Sequence, residues 1–92
     1  KNNYPEYFMK KLKVSLKDNN IIGNIFKEIV NRYSDLNPNT EDGVRIDFPD
    51  GWVHMRKSNT EPIVRIFSES NDQKKADSLA LNIEKEIKSL GK

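Results

Sequence analysis

The chain has 92 residues, 35% hydrophobic and 33% charged, a composition typical of one small globular domain. Its formal net charge of +2 is too small to indicate binding to nucleic acid or an anionic membrane by charge alone. The absence of cysteine excludes disulfides and thiolate chemistry, and no apolar run approaches the roughly 18 residues of a membrane span. We therefore expect a cytoplasmic protein with no membrane association.

The first ten residues are predicted to form a linker, because they are largely polar and Pro5 disfavours a helix. The chain opens without Met and without an apolar signal segment, so we interpret it as a piece of a larger protein. Apolar and polar residues alternate over residues 11–16, which predicts a half-buried strand.

A helix is predicted next, started by the side chains of Asp18, Asn19 or Asn20. Its apolar residues follow helical spacing: Ile22, Ile25, Phe26, Ile29, Val30 and Tyr33. A polar loop over residues 34–42 contains Pro38 and separates this helix from the strands that follow.

Three further strands are predicted over residues 44–48, 52–56 and 63–68, each from its alternation or β-branched content. Pro49-Asp50-Gly51 predicts a hairpin turn between the first two, with Gly51 in a left-handed conformation. The final helix is capped by Ser70, Asn71 or Asp72 and ends at Gly91. Its apolar stripe contains Ala76, Leu79, Ala80, Ile83, Ile87 and Leu90.

The predicted order is β-α-β-β-β-α. Short connections make the last three strands an antiparallel meander, and two amphipathic helices need one sheet face to cover. The fold class is therefore α+β in two layers, an antiparallel four-stranded sheet with two helices on one face.

The segment with the strongest chemical signal is Arg56-Lys57-Ser58-Asn59-Thr60-Glu61-Pro62, followed by Arg65. Ser58, Asn59 and Thr60 supply short donors in a loop whose backbone N–H groups are free to converge on an anion. Arg56 and Arg65 flank the loop, and guanidinium groups bind phosphate through paired, charge-assisted hydrogen bonds. Phosphate is the preferred ligand. The alternative is a hairpin loop whose polar side chains bond their own backbone beside two solvated arginines.

This segment, preceded by Gly-Trp-Val-His-Met, resembles the phosphate-binding signature of the α-D-phosphohexomutase superfamily, which includes phosphoglucomutase and phosphomannomutase. The core R-x-S-N-T-E-P, with a second Arg nine positions after the first, is specific. The leading Tyr4-Pro5-Glu6-Tyr7 and the closing helix also resemble that superfamily's fourth, C-terminal domain, so the likeness covers nearly the whole chain.

The resemblance implies that a phosphoserine in another domain exchanges a phosphoryl group with a hexose phosphate, while this domain holds the phosphate that is not transferred. The residues implied to bind that phosphate are Arg56, Ser58, Asn59, Thr60 and Arg65. Glu61 is expected to orient an arginine or cap a backbone N–H, since a carboxylate repels a dianion, and no role is carried to Lys57.

The same resemblance implies that the phosphoserine motif, the Mg²⁺-binding aspartate loop and the sugar-selecting loop lie in other domains. We therefore expect no cofactor or metal bound by this domain, no catalytic residue in it, and no mutase activity from it alone. The expected partners are a hexose phosphate and the remaining domains of the parent enzyme.

Other residues are interpreted structurally. His54 is expected to be an ordinary strand residue, and Asp47 and Asp50 to serve the hairpin rather than a metal site. Lys10, Lys11, Lys13 and Lys17 suggest an alternative function, a small nucleic-acid-binding module, but lysines also protect an edge strand from unwanted pairing. A purely structural interaction domain is a third, weaker possibility. Trp52 is expected in core or hairpin packing.

Overall fold

The structure, a computed structural model, describes residues 7–58 and 60–91, so the predictions for residues 1–6 and for Asn59 lie outside the described residues. The predicted order of elements and the α+β class are confirmed. The elements are β1 (Phe8–Ser15), α1 (Asn19–Arg32), a short 3-10 helix (Ser34–Leu36), β2 (Val44–Phe48), β3 (Gly51–Lys57), β4 (Ile63–Ser70) and α2 (Gln73–Leu90).

The four strands form an antiparallel sheet in the order β1-β4-β3-β2. Strands β2 to β4 make the predicted meander, and β1 pairs with the edge of β4 that faces away from β3. This arrangement leaves β1 and β2 at the two edges. Strand β1, which contains Lys10, Lys11 and Lys13, is thus an edge strand, where charged side chains discourage pairing with strands of other molecules.

Strand β1 is longer than the sequence predicted, because it begins at Phe8 inside the expected linker. Phe8 pairs with Ser70, and Lys10 pairs with Ser68, so β4 is extended to match. Ser70 consequently lies in the sheet and does not cap α2. The cap is Asp72, whose carboxylate accepts a hydrogen bond from the backbone N–H of Lys74 at 2.9 Å.

Both helices cover the same sheet face, and the core lies between them and the strands. The carboxylate of Asp18 starts α1 by accepting hydrogen bonds from the backbone N–H groups of Asn20 and Ile21. The buried helix residues belong to the predicted stripes: Ile22, Ile25, Ile29, Ala76, Ala80, Ile83 and Ile87. The buried apolar residues of the strands lie on the same face as the helices: Val14, Val44, Ile46, Val53, Met55, Val64 and Ile66. Ser68 and Ser70 of β4 are buried on that face as well.

The β2–β3 turn forms where it was predicted, but for a different reason at Gly51. Gly51 is not among the residues with positive φ. Instead, a side chain there would collide with the backbone carbonyl of Glu69 on β4. Glycine is required for this close approach, and the turn is further held by the Ser70 hydroxyl, which donates to the Asp50 carbonyl at 2.6 Å.

The two helices are tied together at one end by Tyr33, Arg32 and Glu86. The Tyr33 hydroxyl and the Arg32 guanidinium both donate to the Glu86 carboxylate, and the Tyr33 ring packs edge-on against Phe48 with ring centroids 6.0 Å apart. Burial, together with this hydrogen bond to Glu86, raises the pKa of Tyr33 to about 12.

Ile83→Ala is expected to lower the free energy of unfolding by about 2–5 kcal/mol, because it leaves a cavity at a side chain only 1% exposed. Leu79 belongs to the same predicted apolar stripe but is only partly buried, so Leu79→Ala should lower the free energy of unfolding by less. Leu81→Ala on the same helix is the control, since Leu81 is 41% exposed. Equal urea-unfolding midpoints for the Ile83 and Leu81 variants would contradict this packing.

Tyr33→Phe tests the link between the helices through pH. A phenol with a pKa raised on folding contributes stability that is complete below its unfolded pKa of about 10 and is lost as the pH rises towards about 12. Between pH 10 and 12, wild type should therefore lose more unfolding free energy than Tyr33→Phe does. Parallel stability curves for the two proteins over this range would show that the Tyr33 hydroxyl is not coupled to folding.

Candidate phosphate-binding site

The face of the sheet opposite the helices, here called the open face, carries the outward-pointing side chains of all four strands. Strand alternation places Arg56 and Arg65 on it, because their neighbours Met55, Val64 and Ile66 point into the core. The sequence placed the two arginines on either side of one loop. The structure adds that both project from the same surface.

Arg56 and Arg65 are directly opposite each other in the β3–β4 register. Residues at such positions have Cβ atoms only about 4.5–5.5 Å apart, and two like charges there destabilise a sheet. Both side chains are exposed, which lets water reduce their repulsion. An anion bound between the two guanidinium groups would convert this unfavourable pair into a favourable site.

The loop that joins β3 to β4 rises beside this pair. Ser58 begins it, and its backbone N–H donates to the Ile63 carbonyl at 2.9 Å. The Ser58 hydroxyl oxygen accepts a long hydrogen bond from the Thr60 backbone N–H, at 3.4 Å, so the local bonding that the sequence offered as an alternative is present but weak. As an acceptor in that contact, the Ser58 hydroxyl keeps its own proton for a ligand.

Arg56 is oriented by Asp42, a residue that the sequence analysis did not single out. The Asp42 carboxylate lies 3.4 Å from an Arg56 guanidinium nitrogen, and both side chains are largely exposed. Glu61, which was expected to orient an arginine, makes no ion pair with one in residues 7–58 and 60–91. Only the three-dimensional approach of the loop before β2 brings Asp42 to Arg56.

His54 and Gly43 hold that loop in place. A ring N–H of His54 donates to the Asp42 carbonyl, with Nε2 2.5 Å from the oxygen. Gly43 has φ of 75°, and a side chain there would collide with the Met55 carbonyl. A glycine is therefore needed for the loop to approach β3 beside Arg56. The structural interpretation of His54 is supported, and its contact lies close to the arginine pair.

The metal alternative receives no support. Asp47 pairs with Arg45 at 3.1 Å, and Asp50 pairs with Lys75 at 3.2 Å. His54 bonds the Asp42 carbonyl, so the three residues face separate partners. Among the described residues, no group of three or more potential metal ligands lies close together.

The lysines that suggested a nucleic-acid-binding module do not all lie on one face of the sheet. Lys11 and Lys13 project from the open face, whereas Lys10 shares the opposite face with Leu12 and Val14, and Lys17 lies beyond the end of β1.

In the part of the chain that the structure describes, no helix is both long and apolar enough to cross a membrane.

Trp52 lies on the open face, so of the two positions expected for it, core or hairpin packing, the structure shows packing within the β2–β3 hairpin. Its indole N–H donates to the Glu69 carboxylate at 3.0 Å. The Arg45 guanidinium carbon lies 4.7 Å from the centre of the indole ring. Since Arg45 covers this ring, Trp52 is not a free platform for stacking a nucleic-acid base.

The fold and the arginine pair together define a small α+β domain with a candidate site for an oxyanion. The chain matches the family described as phosphoglucomutase/phosphomannomutase, C-terminal domain, over residues 9–86. It therefore belongs to this family of C-terminal phosphohexomutase domains.

Similar proteins agree with this assignment. The chain is 40% identical over 83 residues to the phosphoglucosamine/phosphogalactosamine mutase of Sulfurisphaera tokodaii, covering 88% of this chain and 18% of that protein. It is 60% identical over 37 residues to the phosphoglucomutase/phosphomannomutase of Thermococcus kodakarensis, covering 40% of this chain and 8% of that protein. The chain thus spans less than a fifth of the length of these relatives.

A solved structure shares the fold. The N-acetylphosphoglucosamine mutase of Aspergillus fumigatus, in complex with GlcNAc-6P and magnesium, superposes with a TM-score of 0.55 at 17% sequence identity. The match covers 91% of this chain and 16% of that one. At this identity the similarity establishes the fold alone.

Arg65→Gln is expected to stabilise the domain in the absence of phosphate, by about 0.2–1 kcal/mol, because it removes a like charge opposite Arg56. The gain should shrink as salt is added, since salt screens exposed charges. The measurement is the free energy of unfolding in urea at low and high ionic strength. Lys85→Gln, an equal charge change on an exposed helix residue, is the control. A loss of stability specific to Arg65→Gln would contradict the repulsion.

Proposed function

We propose that this domain binds the non-transferred phosphate of a hexose phosphate within a phosphoglucomutase/phosphomannomutase-type enzyme. Its ligands are the two guanidinium groups of Arg56 and Arg65 and the donors of the loop, Ser58, Asn59 and Thr60. In this proposal, other domains of the parent enzyme bind Mg²⁺ and carry the sugar-selecting loop.

The observation that carries the proposal is the direct cross-strand placement of Arg56 opposite Arg65 on an exposed surface. Two guanidinium groups at directly opposite sheet positions repel each other, and a phosphate dianion bound between them would offset that cost. Asp42 contacts only one of the two arginines, so it orients Arg56 without cancelling the charge of the pair.

The loop supplies what the arginines lack. Guanidinium groups approach a phosphate from the sheet side, and the side-chain hydroxyls of Ser58 and Thr60 can donate to its remaining oxygens. The Thr60 backbone N–H is held only by the long contact to Ser58, whereas the Ser58 backbone N–H is occupied by the Ile63 carbonyl. Because the ligand is recognised through its phosphate and not through its sugar, the same groups can bind whichever phosphate of the hexose is not being transferred. Recognition of the hexose itself then belongs to other domains.

Titration with inorganic phosphate or glucose 6-phosphate should shift the backbone amide NMR signals of Lys57, Ser58 and Thr60. The affinity should be weak, roughly millimolar, because the site is exposed to water and lacks the rest of the cleft. Arg56→Ala should abolish the shifts and keep the fold, since this exposed side chain contributes little to the core. Arg56→Lys should restore them only in part, because an ammonium group lacks the planar fork of guanidinium.

Two controls sharpen this titration. Neutral glucose at equal concentration should leave the same amides almost unmoved. Arg45→Ala removes another open-face guanidinium that already contacts Asp47 and Trp52, and it should keep the phosphate shifts. Equal shifts with glucose and glucose 6-phosphate would refute phosphate recognition by this loop. Shifts confined to Lys10, Lys11, Lys13 and Lys17, without shifts in the loop, would support the nucleic-acid alternative instead.

The isolated chain is expected to show no conversion of glucose 1-phosphate to glucose 6-phosphate, with or without Mg²⁺ and a bisphosphate activator. No serine of the chain lies in the phosphoserine motif of the superfamily, so the phosphoryl donor is absent from it. A coupled dehydrogenase assay measures the product. Turnover above a control preparation of Arg56→Ala, free of host mutase, would overturn the assignment of catalysis to other domains.

A further inference from the structure

The phosphate site has a neighbour on the edge strand that neither the signature motif nor the comparisons assign. In the β1–β4 register Lys13 is directly opposite Arg65, which is itself opposite Arg56. The three residues therefore form one row across three strands of the open face, and the outer two are about 10 Å apart at the usual strand spacing.

No acid neutralises this row at its Lys13 end. In residues 7–58 and 60–91, neither Lys13 nor Arg65 forms an ion pair. The adjacent open-face pairs are Lys11 with Phe67 and Ser15 with Ile63, which bring no carboxylate. The next acid along the open face of β4, Glu69, lies beyond Phe67 and accepts the indole N–H of Trp52.

A shallow depression lies on the sheet beside these cations. It has a volume of about 240 Å³ and is lined by Lys11, Leu12, Lys13, Arg65 and Phe67. Arg65 lines this depression, and it lies two residues beyond Ile63, whose carbonyl accepts the Ser58 backbone N–H at the base of the loop. An anion held by Arg65 lies within reach of the ammonium group on the flexible four-carbon stem of Lys13.

We propose that Lys13 is a third cationic ligand of the bound phosphate, so that the site is a row of three cations and not a pair. This inference rests on the proposed function and adds to it a residue from an element remote in sequence. Protection of an edge strand explains why β1 contains lysines. It does not explain why one of them faces two arginines already opposed to each other.

Titration of the 92-residue chain with inorganic phosphate, followed at the Ser58 and Thr60 amides, tests the role of Lys13. Lys13→Gln should raise the Kd about three- to fivefold, the effect of losing one exposed ion pair. Lys10→Gln is the matched control, because it removes the same charge from the same strand on the opposite face, and it should change the Kd less than about twofold. Lys13→Arg should bind about as well as wild type.

The ¹³Cε signal of Lys13 provides an independent readout, and it should move with the same Kd as the loop amides. Equal Kd values for Lys13→Gln and wild type, or equal changes for Lys13→Gln and Lys10→Gln, would overturn the role of Lys13 while leaving the Arg56–Arg65 site intact. Absence of any phosphate-dependent shift in wild type is a different result. It would overturn the proposed function and, with it, the role of Lys13.

Discussion

The antiparallel register between β3 and β4 is the constraint on which the rest of the site depends. It is fixed by alternation, since Val53 and Met55 on β3 and Val64 and Ile66 on β4 all point into one core. A slip of a single residue would turn the two core side chains of the displaced strand to the open face. The same register places Arg56 opposite Arg65 on the other face. Core packing therefore holds two cations together against their repulsion.

The two faces of the sheet contribute differently. The helix-covered face supplies the hydrophobic stabilisation, and the open face carries the like charges that we expect to destabilise the domain when no anion is bound. Asp42, held by His54 and made possible by Gly43, fixes one arginine without neutralising the pair. Pre-organisation of this kind lowers the cost of ordering the arginines when an anion binds.

The sequence predicted the order of elements because hydrophobic periodicity reports which side of each strand and helix is buried. It also brought Arg56 and Arg65 to either side of one loop, and their assignment as phosphate ligands together with Ser58 and Thr60 stays a prediction. It did not find Asp42, which reaches Arg56 from a different loop, or the pairing of Lys13 with Arg65. Contacts of this type depend on strand order and register, and local pattern carries neither. The early start of β1 at Phe8 was missed for the same reason, since β4 provides the partner residues that extend it.

Binding of the phosphate by cations of this domain is tested most directly by measuring the pKa of the phosphate group. The second pKa of a phosphate monoester is about 6, and neighbouring cations favour the dianion. ³¹P NMR of glucose 6-phosphate, titrated from about pH 4 to 8 (about two units either side of that pKa) in the presence of the domain at millimolar concentration, measures this pKa as an average over free and bound sugar phosphate. We expect a clearly lower pKa with wild type than with Arg56→Ala. A titration curve that coincides with that of free glucose 6-phosphate would show that cations of this domain do not hold the phosphate.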